Sequence, residues 1–143
     1  MKYLKELTIL IADDDDGHAD LIIEALVDSG VRNKIIRFSN GEEIWNFLSQ
    51  TGDNEARDEN ENYLLLLDIN MPKMDGIEVL RRMKSDENLK VIPVMMLTTT
   101  DDPREVEACY KIGCNIYITK PIDFTKFTET LKRLGLFIQI VKI

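Results

Sequence analysis

Leu64-Leu65-Leu66-Leu67-Asp68-Ile69-Asn70-Met71-Pro72 is the stretch on which the reading of this chain turns. Four consecutive leucines make an apolar run of strand length, and Pro72 with Asp75-Gly76 marks a turn after it. A continuous apolar run, rather than an alternating one, predicts a strand buried on both faces, as in a parallel sheet. Open α/β sheets bind ligands in the crevice beyond the carboxyl ends of their strands. Asp68 stands at such an end.

Working outward, three further runs end in polar chemistry. Leu7-Thr8-Ile9-Leu10-Ile11-Ala12 leads into Asp13-Asp14-Asp15-Asp16. Val91-Ile92-Pro93-Val94-Met95-Met96-Leu97 leads into Thr98-Thr99-Thr100, and Asn115-Ile116-Tyr117-Ile118-Thr119 into Lys120-Pro121. In a parallel sheet these ends share one edge, where acids, hydroxyls and one lysine meet.

Helical patterns fill the intervals. Leu21, Ile22, Ala25 and Leu26 share a face between Ala19 and Ser29, with Gly30 as a stop. Lys34–Phe38 reads as a short strand, and Asn40-Gly41 opens a helix carrying Ile44, Trp45, Phe47 and Leu48. Ile77, Leu80 and Met83 mark a third helix, and Pro103–Ile112, closed by Gly113, a fourth. A fifth starts at Asp123, an N-cap flanked by a staple of Ile122 and Phe127. Five strands alternating with five helices predict a doubly wound α/β fold with a five-stranded parallel sheet, flavodoxin-like in arrangement.

The 143 residues are expected to form a single domain over 1–143. A net charge of −8 without any basic cluster argues against direct nucleic-acid binding. No run of 18 apolar residues is present, so no membrane span is expected, and the N-terminus lacks a signal-type apolar region. Cytoplasmic residence is the resulting expectation. Cys109 and Cys114 have no histidine or further cysteine near them in sequence and read as small apolar core residues rather than a zinc site. His18, the lone histidine, reads as a surface residue near a helix start that pairs with nothing.

Residues 49–62 hold five acids and one arginine, and read as a solvated loop insertion at the sheet end away from the site. Beyond Gly135 the last helix has a second apolar set, Leu136, Phe137, Ile140 and Ile143, besides the stripe of Phe124, Phe127, Leu131, Leu134, Ile138 and Val141. One sheet face cannot cover both, so the apolar extension at 135–143 is expected to support a homodimer.

If Asp13, Asp14 and Asp68 converge, each pair repels by roughly 3 kcal/mol at about 5 Å and an effective dielectric of about 20. Such a cluster requires cations. Lys120 supplies one, and a hard divalent ion such as Mg²⁺ suits an all-oxygen ligand set. Metal, lysine and the Thr98 hydroxyl around a carboxylate make a phosphoryl site, with Asp68 as the nucleophile.

These residues, in this order and on these strand ends, resemble the receiver domain of two-component response regulators over nearly the whole chain. The matching pieces are Asp13-Asp14, Leu67-Asp68-Ile69-Asn70-Met71-Pro72-Lys73-Met74-Asp75-Gly76, Thr98 and Lys120-Pro121. The resemblance implies that Asp68 is the phosphoacceptor, and that Asp14 contacts Mg²⁺ directly while Asp13 acts largely through metal-bound water. The main-chain carbonyl of Asn70 is the further ligand. It implies that Lys120 pairs with the phosphoryl group, that the Lys120–Pro121 bond is cis, and that Thr98 and Tyr117 form a switch pair. Asn70 and Thr100 stand where the family tunes the lifetime of the phosphorylated state. The implied phosphodonor is a sensor histidine kinase or a histidine phosphotransfer protein. The acidic loop and apolar C-terminus look most like stand-alone receivers, some of which serve phytochrome-type kinases.

Other readings stay open at this stage. An aspartyl-phosphate-forming phosphatase or phosphotransferase usually needs a second acid two residues after its nucleophile, where this chain has Asn70. A receiver-like dimerisation scaffold would not need all five polar site residues. A nucleotide-binding protein of the same fold would need a Gly-rich phosphate loop, which follows none of the strands.

Overall fold

Parallel strands form the centre of the molecule because the apolar runs bury both of their faces. In a computed structural model, residues 7–28, 30–52, 56–120, 129 and 133 are described. The elements run β1 (Thr8–Ala12), α1 (Asp16–Asp28), β2 (Ile35–Phe38), α2 (Gly41–Ser49), β3 (Tyr63–Leu67), α3 (Gly76–Lys84), β4 (Val94–Thr98), α4 (Pro103–Ile112) and β5 (Ile116–Thr119). The strands pair in the order β2-β1-β3-β4-β5, all parallel. Strand order reverses between β1 and β3, where a doubly wound sheet opens its ligand crevice.

Side-chain alternation divides the core into two. Leu10, Ala12, Leu65, Leu67, Val94 and Met96 pack with Ile44, Phe47, Val79, Leu80 and Met83 from α2 and α3, and with Cys109 from α4. Ile9, Ile11, Leu64, Leu66, Met95 and Leu97 face the other way and meet Ile22, Ala25 and Leu26 of α1. Cys109 and Cys114 are buried free thiols, as expected, and burial pushes Cys109 up to about 11.

Two element starts and one loop differ from what was read in the sequence. The fourth strand starts at Val94, not Val91. Pro93 lacks an N–H for the ladder, although its carbonyl accepts from Leu65 N at 3.1 Å, and Val91 is 74% exposed. Helix α1 starts at Asp16, not Ala19, because Asp15 caps it: its Oδ1 accepts from the His18 N–H at 3.0 Å. The acidic loop is not wholly solvated. Arg57 Nε donates to the Leu48 carbonyl at 2.6 Å, and the Arg57 N–H to Phe47 O at 3.0 Å, pinning it to the end of α2. The N-terminal side of β3 is where this loop joins the sheet, opposite the strand ends that carry the site.

The fifth helix falls mostly outside the described residues. Glu129 and Arg133, one turn apart, are helical. Asp123 and its staple, the peptide bond to Pro121, and the candidate dimer residues Leu136, Phe137, Ile140 and Ile143 lie outside that set.

Capping sets where α2 and α3 begin. Asn40 Oδ1 accepts from Glu43 N at 2.8 Å, while Glu43 Oε1 returns to the Ser39 N–H at 2.9 Å. Asn40→Ala is expected to lower unfolding stability by about 1 kcal/mol, read from the urea midpoint at constant slope.

Candidate functional site

Four of the five strand ends carry a polar residue to the same edge of the sheet. Asp13 follows β1, Asp68 follows β3, Thr98 ends β4 and Lys120 follows β5. Main-chain bonds hold the adjoining ends together: Asp68 N donates to Ala12 O at 2.9 Å, Asp13 N to Phe38 O at 3.1 Å, and Lys120 N to Thr98 O at 2.6 Å. The Asp13, Asp68 and Lys120 side chains meet although they come from three strands, and all four residues are buried. Asp14 is exposed at the rim.

Carboxylate oxygens of Asp13, Asp14 and Asp68 lie within 4.8 Å of one another. Lys120 reaches across β4 to the acids, ion-pairing with Asp13 Oδ2 and lying 3.3 Å from Asp68 Oδ2. Its side chain is 4% exposed, against 2% for Asp13 and 9% for Asp68. Burial pushes the Asp13 carboxyl above the ordinary carboxylate value, against the pull of the Lys120 hydrogen bond and of the Asp15 N–H, 2.9 Å from Asp13 Oδ1.

Among the described residues Asp68 Oδ1 is buried without a hydrogen-bond partner, whereas Oδ2 faces Lys120. An orphaned carboxylate oxygen in a buried acid cluster is costly unless a cation or a covalent bond uses it. The donor set is entirely oxygen, which suits a hard divalent ion. The residues present therefore fit a Mg²⁺-type site.

Asn70 stands at the mouth, its Nδ2 donating to Thr100 Oγ1 at 3.2 Å. Thr98 is fully buried, and its hydroxyl oxygen lies 3.5 Å from Thr100 N. Tyr117 is half-buried on β5. Its hydroxyl donates to Thr100 O at 2.6 Å, and its N–H donates to the Tyr110 hydroxyl at 3.0 Å. Burial pushes the Tyr117 phenol up to about 12. Thr98 and Tyr117 are thus both tied to residue 100.

Two residues at the site escaped the sequence reading. Arg37, the one charge in β2, donates from Nε and Nη2 to the Asp13 carbonyl at 3.2 and 2.8 Å, and from Nη1 to Asp16 Oδ1 at 2.6 Å. It fixes the backbone that carries the acid pair, and its position inside an apolar strand was the available signal. His18 was expected to pair with nothing. Instead its Nδ1 lies 3.3 Å from Lys120 Nζ and 3.7 Å from Asp15 Oδ2.

Comparison with known proteins agrees with this geometry. Residues 9–132 match the response regulator receiver domain. Response regulator Rcp1 of Synechocystis is 38% identical over 112 residues, covering 78% of this chain and 75% of the relative. A crystal structure of a response regulator receiver domain from Rhodospirillum rubrum superposes with a TM-score of 0.87 at 40% identity, covering 95% of this chain and 96% of that one. The Mn²⁺-bound form of Rcp1 gives 0.85 at 32% identity, covering 95% and 97%. The phosphorylated cyanobacterial phytochrome response regulator RcpA gives 0.81 at 35%, covering 91% of each. Among the described residues, no helix is long and apolar enough to cross a membrane. The chain belongs to the response regulator receiver domain family and is a phosphoryl-accepting signalling module of the two-component type.

Proposed function

We propose that Asp68 accepts a phosphoryl group from a phosphohistidine of a sensor histidine kinase or histidine phosphotransfer protein, in the cytoplasm. The observation carrying this reading is the buried Asp68 carboxylate, one oxygen facing Lys120 and the other without a partner among the described residues, with Asp13 and Asp14 converging on it. A carboxylate oxygen of Asp68 attacks phosphorus and the new O–P bond forms. The donor's P–N bond breaks, and its electron pair stays on the imidazole nitrogen that leaves. Lys120 neutralises charge on the phosphoryl oxygens, and the Thr98 hydroxyl donates to one of them. Slow attack by water on phosphorus later restores the carboxylate and frees phosphate.

Asp13, Asp14, Asp68 and the main-chain carbonyl of Asn70 would hold Mg²⁺. When bound, Mg²⁺ lowers the repulsion between incoming phosphoryl oxygens and the acids. Thr98 and Tyr117 are the switch pair in this reading: Thr98 turns toward the new phosphoryl group, and the Tyr117 ring fills the space it leaves. The likeness to the cyanobacterial phytochrome response regulator RcpA supports a phytochrome-type kinase as the donor.

The test is incubation with acetyl phosphate and Mg²⁺, followed by intact mass. One added phosphoryl group is expected, and none with a chelator present. Steady release of phosphate from many small esters would instead favour a phosphatase, and no uptake in any condition would favour a scaffold.

A further inference from the structure

The Lys120 ammonium has three protons, and among the described residues three acceptors surround it: Asp13 Oδ2, Asp68 Oδ2 at 3.3 Å and His18 Nδ1 at 3.3 Å. An ammonium only donates. The 3.3 Å contact is therefore a hydrogen bond with His18 Nδ1 as the acceptor. The three acceptors differ in place and in charge. Asp13 and Asp68 lie on the floor, with side chains 2% and 9% exposed, whereas the His18 side chain is 42% exposed at the mouth. The two carboxylates draw the ammonium inward, onto the oxygens that a metal and a phosphoryl group would use. The imidazole draws it outward, toward where an incoming group arrives, and adds no negative charge to a site that already holds three acids. The turn that places it is fixed independently, by Asp15 Oδ1 accepting from the His18 N–H at 3.0 Å.

We infer that His18 is a positioning residue for phosphoryl transfer: its Nδ1 is the partner of the buried Lys120 ammonium that lies toward the mouth of the crevice, and it offsets the pull of Asp13 and Asp68 on the side from which the oxygens of an incoming phosphoryl group arrive. This role rests on the phosphoacceptor reading above. Without His18 the ammonium keeps Asp13 and Asp68 and leans further onto the nucleophile. The acceptor atom is what matters, so asparagine, whose Oδ1 stands at the same distance along the side chain as Nδ1, replaces it. Leucine, of similar bulk, does not.

The test compares the parent protein, His18→Leu and His18→Asn. Phosphorylation by acetyl phosphate is followed by intact mass at saturating Mg²⁺, and Mg²⁺ affinity is measured separately by calorimetry. Expected are a fall in the rate constant of about fivefold for His18→Leu, as for loss of a partly solvated hydrogen bond to a charged group, recovery to within about twofold for His18→Asn, and the same Mg²⁺ affinity in all three. Equal rates in the parent and His18→Leu would overturn the inference and leave the phosphoacceptor reading standing. Equal losses in both variants, or a loss matched by weaker Mg²⁺ binding, would also overturn it, because the ring would then be acting through structure or through the metal. No uptake by the parent protein would remove the phosphoacceptor reading and this role together.

Discussion

Asp68→Asn is expected to lower phosphoryl uptake from acetyl phosphate at least about a hundredfold, because an amide oxygen is a far weaker nucleophile than a carboxylate. The same substitution is expected to make the metal-free protein more stable. Asp68 repels Asp13 and Asp14 by roughly 3 kcal/mol each at about 5 Å and an effective dielectric of about 20, and attracts Lys120, 3.3 Å away, by roughly 5 kcal/mol at the same dielectric. Two repulsions against one attraction leave a net cost, trimmed by the solvent at Asp14 and by the ion pair at Asp13. A gain of about 1 kcal/mol, or about 3 °C in Tm, is expected on thermal unfolding in chelator. The added stability from Mg²⁺ should shrink in the variant, since one charged ligand is gone. Uptake at the parent rate by Asp68→Asn would place the phosphoacceptor elsewhere. A lower Tm would mean that Lys120 outweighs the repulsion. The reactive carboxylate is in this sense a burden that the fold carries.

Gly76→Ala is expected to cost roughly 3 kcal/mol, the upper end for forcing atoms into a filled space. A Cβ at Gly76 would lie 2.0 Å from the Asp68 carbonyl oxygen, and backbone on both sides leaves nothing flexible to give way. The Gly76 N–H donates to Ile69 O at 2.8 Å, so the first turn of α3 rests directly on the peptide that carries the phosphoacceptor. Gly41 does the same from the start of α2, where a Cβ would lie 1.7 Å from the Met74 carbonyl oxygen. The loop between Asp68 and Gly76 is therefore clamped between two helix starts that lack side chains. Urea unfolding checks the stability loss. Mg²⁺ titration checks whether what survives folding has a displaced site: weaker binding is expected, and unchanged stability together with unchanged affinity would show that the loop adapts freely.

The parts of the fold that could be read from sequence are those where composition and local chemistry agree. β3 was legible because the unbroken run Leu64–Leu67 stops sharply at Asp68, and the strand adds only Tyr63 before it. α4 was read equally well, because Asp102 caps it, Pro103 opens it and Gly113 closes it. Val91 and Ile92 were misassigned because apolar character alone does not make a strand. Asp86 Oδ1 instead accepts from the Asn88 and Leu89 N–H groups and winds the segment before β4 into turns. The acids, Thr98 and Lys120 were visible because each ends an apolar run. His18 and Arg37 were not, because their partners lie 102 and 24 residues away in the chain. Only the strand order brings those distances to zero.

Tyr117 is moored at two points, through its phenol to the main chain just ahead of α4 and through its own N–H to a phenol on α4. If the ring turns, the carbonyl of Thr100 loses its donor, and a newly bare carbonyl oxygen must find water or another proton. News from the phosphoryl pocket would then leave the molecule through residues 99–102, so that a probe placed on that short span would sense the event before one placed on any strand.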